Sequence, residues 1–490
     1  MPYFAWFCLL SLSGLFSLSL SGLVQAQSYL IENVTLIDGN GGDPRRGAYV
    51  LVENGRIAEI DSKRPETLPP DTISIKGRGK YLLPGFIDTN VHASVYGNSR
   101  RRQTAVKYGP RNDELAEEFA QRQLKYGVTT IRDSYGSLIP LMKVRDAIER
   151  GEITGPRMLV AGNIVGWGGP FSLTFSLMKE SELTLFQEQW NDLIAQGVGE
   201  ELMDMGPEEL RLAMNTYLDK GPDFIKFGGT SHFRYPSLIG FSPRAARVIV
   251  EETHKRGLVA ETHATSSEGL RIAVEAGIDF IQHPEILSSP YPEDLLQLII
   301  EKDVICGLRS NTLTGDKWQQ HLKTRKAALE RLEDAPEPAT SAERRRRENA
   351  IGHLYHIERE NAERLIAAGC TVTIATDNYQ GRAPEFRRDP KPIIQEAGIG
   401  SLIAIEGLVE LGMTPLQAIT AGTRNGAIAC KGLSEFGTVE VGKAADLVLL
   451  SANPLRNISN IRKQELVMAR GKIIDTEALP RQKIFYTRDY

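Results

Sequence analysis

Between Phe86 and Thr376 the chain alternates short, near-continuous apolar runs with longer stretches in which apolar and charged positions interleave at helical spacing. Eight of the apolar runs are predicted as strands, at residues 86–93, 128–133, 157–161, 223–228, 258–264, 280–284, 304–308 and 371–376. A run apolar on both faces is a strand covered on both sides, which is the situation of parallel strands flanked by helices. Eight such units in succession predict a closed (β/α)8 barrel, a TIM barrel, over residues 81–421. A doubly wound dinucleotide-binding sheet would need a glycine fingerprint after its first strand, and none stands there.

The flanks carry a different period. Before the barrel, runs at residues 30–37, 48–53 and 56–60 alternate apolar with polar, separated by Gly39-Asn40-Gly41-Gly42 and by Asn54-Gly55. Those are hairpin signals, since asparagine and glycine accept the left-handed backbone of tight turns. After the barrel, Gly437-Thr438-Val439-Glu440-Val441-Gly442-Lys443 leads into an apolar run at residues 446–450. Two β segments around a long middle predict one small β-sandwich built from both termini, residues 27–80 and 422–490. Two insertions interrupt the barrel pattern. Residues 166–206 carry Trp167, Phe171, Phe175, Phe186 and Trp190, and residues 311–349 carry the basic run Arg344-Arg345-Arg346-Arg347, read as a solvated helix face.

With 490 residues and 41% hydrophobic positions the chain buries a large core and is excluded from the disordered class. A formal net charge of -4 without a basic stripe gives no footing for nucleic acid. The apolar start, closing on the small-residue pattern Val24-Gln25-Ala26, predicts a signal peptide over residues 1–26 and export to the periplasm or beyond the cell. No later stretch is apolar for long enough to span a bilayer, so no stable membrane span is expected. Cys306, Cys370 and Cys430 remain after the leader, an odd number without CxxC spacing, and read as buried thiols rather than a disulfide framework.

Residue types suited to metal fall at the ends of the predicted strands, where a barrel builds its active site. Asn90 and His92 close the first strand and share one face, because side chains alternate along a strand. Lys226 closes the fourth, His263 the fifth, His283 the sixth, and Asp377 follows the eighth. A single buried histidine is usually a satisfied core residue. Three of the chain's eight histidines at the ends of three separate strands, with a carboxylate after a fourth, predict a divalent-metal site for Zn2+ or for Fe, Co or Mn. His232, just after the fourth strand, and Trp167, in the first insertion, are candidate substrate contacts. A plain loop histidine and core packing of the insertion stand beside those two readings. His353 and His356, three apart on a charged helix, read as surface residues.

The words Leu83-Pro84-Gly85-Phe86-Ile87-Asp88, Glu261-Thr262-His263-Ala264, Gln282-His283-Pro284, Ala375-Thr376-Asp377 and Gly442-Lys443-Ala444-Ala445-Asp446 resemble the amidohydrolase superfamily, its imidazolonepropionase- and prolidase-like group included, over nearly all of the chain after the leader. The resemblance implies a metal-dependent hydrolase that cuts an amide-like C–N bond with metal-activated water, one or two divalent ions, and a small-molecule substrate. It implies Asn90, His92, Lys226 and Asp377 around one ion, and Lys226, His263 and His283 around the other. Lys226 is then carboxylated by CO2, since a bare ammonium has no lone pair and a carbamate offers two anionic oxygens, and Asp377 is the catalytic proton carrier. The family's His-x-His is here Asn90-Val91-His92, which is similar to the phenylurea hydrolase and molinate hydrolase branch acting on N-substituted ureas, carbamates or thiocarbamates. Asn90 either ligates through a neutral oxygen or hydrogen-bonds a ligand from behind. A homo-oligomer is expected. Three alternatives stand beside this reading: a prolidase-like dipeptidase or carboxypeptidase, which a cation such as Arg234 at the substrate carboxylate would favour; a ring-opening or deaminating enzyme of the imidazolonepropionase kind, whose one-metal site needs no carboxylated lysine; and a metal-binding scaffold without catalysis, against which the retained Asp377 speaks.

Overall fold

The structure, a computed structural model, describes residues 27–485 apart from 236, 334, 336 and 387–390, so the expected leader lies outside the described residues. Five strands open it: β1 Tyr29–Leu36, β2 Arg45–Glu53, β3 Arg56–Asp61, β4 Ile73–Lys76 and β5 Tyr81–Pro84. Eight more follow at the places the apolar runs indicated: β6 Phe86–Gly97, β7 Val128–Asp133, β8 Arg157–Val160, β9 Phe224–Gly228, β10 Val259–His263, β11 Phe280–Gln282, β12 Ile305–Leu308 and β13 Val372–Ile374. The remaining strands are β14 Asn378–Arg382, β15 Leu447–Leu450, β16 Gln464–Ala469 and β17 Lys472–Ile473.

The barrel strands pair in parallel as two arcs, β6-β7-β8 and β9-β10-β11-β12-β13. One seam is closed by the parallel bridge between Val165 and Phe227. The other is closed by Thr89, whose hydroxyl donates to the Ile374 carbonyl at 2.7 Å, and by the Asp377 amide, which donates to the Asn90 carbonyl at 2.9 Å. Nearly every barrel-strand residue is buried, as expected of strands covered on both faces.

β6 runs past its predicted end at Ala93 to Gly97. The extra residues are strand because β14, directly after Asp377, pairs with them in parallel, Gln380 against Tyr96 and Arg382 against Gly97. This pairing carries the following residues, Asn98 to Arg101, over the mouth of the barrel.

The terminal segments form one sheet in the order β17-β16-β15-β5-β1-β2-β3, with β4 on β1. Its core, including Ile31, Val50, Leu82, Leu447 and Met468, is separate from the barrel's. β5 lies in this sheet, parallel to β1 and antiparallel to β15, so residues 81–84 belong to it rather than to the barrel. The β2–β3 hairpin turns on Asn54 and Gly55 with φ of 49° and 79°, the left-handed values such a two-residue turn requires.

The basic run Arg344 to Arg347 lies on the helix Ser341–Ala350, which has no buried residue, as a solvated face should. His353 and His356 differ from their expectation and are half-buried rather than surface residues. The His356 ring stacks on Trp318 with centroids 5.4 Å apart, because the helices Gly315–Leu332 and His353–Ala367 meet around that indole. Cys306, Cys370 and Cys430 are free thiols, the first and last of them buried. No helix among the described residues is long and apolar enough to cross a membrane.

Candidate active site

The six residues singled out as metal ligands come together at the C-terminal ends of the barrel strands. His92 at the end of β6 places Nε2 2.9 Å from Asp377 Oδ1, while its Nδ1 sits 3.2 Å from the Tyr135 carbonyl. Asn90, fully buried on the same face, sets Nδ2 3.5 Å from the same carboxylate oxygen, and its Oδ1 has no partner among the described residues. Across the mouth, His263 Nδ1 faces His283 Nε2 at 3.2 Å, and the outer nitrogens of both rings have no partner among the described residues. His283 and Asp377 have φ of 40° and 58°, a left-handed backbone that costs energy for any residue with a β-carbon. The chain turns sharply there, just after β11 and β13, and sends both side chains into the mouth.

The electrostatics suit metal-binding groups. Burial holds the imidazoles of His263 and His283 well below their ordinary range, so both are neutral and keep a lone pair. Burial also lowers Lys226, against the pull of Glu261, Asp377 and Asp133. For Asp377 burial acts upward, but the His92 hydrogen bond, the neighbouring imidazoles and the Arg309 charge win and hold the carboxyl well below the usual range. Beneath Lys226, Glu261 pairs with Arg132 at 2.8 Å, both side chains fully buried. The Arg132 guanidinium lies 4.0 Å from the Phe224 ring centroid, and Glu261 also accepts from Gln282 at 3.1 Å. Rings and partner together offset the cost of taking this charge out of water.

A cavity of about 710 Å³ opens above, lined by His92, Lys226, His263, His283 and Asp377, with Asn90 behind the wall. Both candidate substrate contacts line it. Trp167, 3% exposed, stands edge-on to His263 with centroids 4.8 Å apart, and its indole N–H donates to the Thr230 carbonyl at 3.0 Å. His232 stacks on Phe175 at 4.7 Å. The two readings of the insertion merge, since Trp167 packs with Tyr135 and Ile164 while also lining the cavity.

Sequence reasoning missed Arg309, Tyr135 and Arg100, which line the same cavity. Arg309 had a legible signal, since it follows the seventh predicted strand as Asp377 follows the eighth. Its Nε lies 3.0 Å from Glu285, Nη2 3.1 Å from Glu358 and Nη1 4.0 Å from Asp377. Arg100 had none, because only the β14 pairing brings it to the mouth. Arg234 lines the cavity too and is ion-paired with Glu358.

Two ligand atoms on one tetrahedral ion at about 2.0–2.1 Å stand about 3.3 Å apart. The facing atoms of His263 and His283, at 3.2 Å, and of His92 and Asp377, at 2.9 Å, match that spacing within a few tenths of an ångström. Among the described residues no three His, Cys, Asp or Glu side chains form a complete ion site by themselves. Each pair therefore needs a further donor to complete an ion site, and Lys226 lines the same cavity and acts electrostatically on His263, His283 and Asp377. The two facing pairs, with the Asn90 oxygen that has no partner among the described residues, fit divalent metal by their donor chemistry.

Residues 81–474 match the amidohydrolase family. Among solved structures, phenylurea hydrolase B superposes with a TM-score of 0.81 at 30% identity, covering 94% of this chain and 100% of its own. Molinate hydrolase superposes with a TM-score of 0.80 at 28% identity, covering 95% of this chain and 98% of its own. Ochratoxinase of Aspergillus niger is 24% identical over 459 residues, 90% of this chain and 85% of its own. Members of the family generally use divalent metals. The strand-end constellation, the matched span and the shared fold converge: this chain belongs to the amidohydrolase family.

Proposed function

We propose that the protein hydrolyses a C–N bond of amide, urea or carbamate type in a small molecule, with divalent metal held at the barrel mouth. The observation that carries this reading is the two facing donor pairs, His263 with His283 and His92 with Asp377, which line one cavity with Lys226. Carboxylation of Lys226 would supply each pair with an anionic oxygen. Burial favours that chemistry by lowering the pKa of the amine, which raises the share of the neutral form whose nitrogen adds to CO2 and releases a proton. Asn90 would add a neutral oxygen beside His92 and Asp377. Zinc suits imidazole and carboxylate donors, with Fe, Co or Mn as further occupants. When bound, such an ion polarises the scissile carbonyl and lowers the pKa of the attacking water.

The chain's own residues do the rest. Asp377, ionised at neutral pH, accepts the water's proton and returns it to the departing nitrogen. His92 fixes that carboxylate, and the Tyr135 carbonyl fixes His92. Trp167 and Tyr135 keep bulk water from the inner wall. The names of the phenylurea, molinate and ochratoxin enzymes support a C–N substrate. Screening the metal-loaded protein against N-acyl amino acids, dipeptides, arylureas and carbamates, with metal content measured alongside, should find turnover in at least one class. Uniform inactivity of loaded protein would remove the hydrolase reading and leave a metal-binding scaffold.

Export with removal of residues 1–26 belongs to the same proposal, as does assembly into a homo-oligomer. N-terminal sequencing of protein recovered outside the cytoplasm should begin at Gln27, and an intact Met1 would refute cleavage.

A further inference from the structure

The cavity has a second chemical character beyond its metal ligands. Its wall carries four guanidinium cations, Arg100, Arg101, Arg234 and Arg309, against a single Asp or Glu carboxylate, Asp377. Arg309 and Arg234 are paired with Glu285 and Glu358. The side chains of Arg100 and Arg101 make no ion pair or hydrogen bond among the described residues, and Arg101 lies at 4.6 Å over the Phe386 ring, which does not line the cavity. Arg100 rests instead on the cavity's own aromatic wall. Its guanidinium lies 4.8 Å from the Phe175 ring centroid. Phe175 in turn stacks on Tyr135 at 5.4 Å and on His232 at 4.7 Å, with Trp167 edge-on to it at 5.6 Å. A guanidinium resting on a ring face keeps its edge N–H groups free, in the planar fork that matches a carboxylate. The aromatic wall beside it offers faces and edges to an aryl group.

We infer that the substrate is an amide that carries both an aromatic ring and a carboxylate, its ring against the wall of Tyr135, Trp167, Phe175 and His232 and its carboxylate on Arg100. This rests on the C–N hydrolase reading and narrows it, because a neutral urea or carbamate would leave Arg100 unused. Arg100 is then a specificity determinant that touches the substrate away from the reacting bond. An alternative role, in which its stem merely covers Phe175, predicts no preference for acids.

The test compares N-acetylphenylalanine with N-acetylphenethylamine, which lacks only the carboxylate, on the full metal-loaded protein. Wild type should prefer the acid in kcat/KM by roughly 10- to 100-fold, the range of one charge-assisted contact. Arg100→Gln should lower kcat/KM for the acid, through KM, by far more than for the neutral amide and so remove most of the preference, and Arg100→Lys should restore part of it. An equal loss on both substrates, or a wild type indifferent to the carboxylate, would overturn the inference and leave the hydrolase reading intact. Calorimetric binding of 3-phenylpropanoate gives a readout that needs no turnover. Arg100→Gln should weaken it by roughly tenfold, and unchanged affinity would overturn the assignment even if no substrate is cleaved.

Discussion

Asp377→Asn should lower kcat by roughly 100-fold or more, about 2.7 kcal/mol of transition-state free energy, while the protein stays folded. The substitution keeps the shape of the side chain and removes its capacity to take a proton. It also suits the backbone, since Asp377 sits at φ 58° and asparagine is among the few residues that adopt the left-handed region readily. The amide can still meet His92, whose Nε2 lies 2.9 Å from the present carboxylate, so the local frame should survive. Steady-state kinetics, metal content and a thermal melt separate the outcomes. Near-normal turnover with metal retained would move the proton to another group, and collapse of the melt would make the residue structural.

Prolonged chelation should abolish hydrolysis, and added divalent ion should bring it back. The expectation follows from buried, neutral imidazoles facing each other at 3.2 Å with outer nitrogens unpartnered, an arrangement a folded core tolerates poorly without an occupant. Asn90→Ala should release an ion at lower chelator concentration than wild type does, because the position offers one neutral oxygen while His263 and His283 offer two imidazoles. Full activity in a rigorously metal-free preparation would defeat the mechanism. Equal retention of metal by Asn90→Ala would place that amide behind the ligands rather than among them.

Much of the architecture was legible before any coordinates. The eight barrel strands stand where the apolar runs are, because a strand buried on both faces is apolar at most positions and the helical segments between them are not. The proposed ligands were legible for a related reason. A barrel exposes the C-terminal end of each strand, so a histidine or carboxylate closing an otherwise apolar run has one place to point. Alternation along β6 put Asn90 and His92 on one face without further information.

What sequence left open depended on partners far along the chain. The length of β6 is decided by β14, and that pairing brings Arg100 to the mouth. β5 reads as the start of the barrel until β15 pairs with it and draws it into the terminal sheet. His356 lies on a charged helix and reads as exposed until Trp318 arrives from another helix. Arg132 and Glu261, each an isolated charge in an apolar strand, make sense only as a pair closed across the barrel floor. Local periodicity records which face of an element is apolar, because that is a property of neighbours in sequence. Which cation meets which carboxylate, and which ring closes over a site, is settled by contacts the chain makes only once the barrel has closed, and those contacts decided which groups line the cavity.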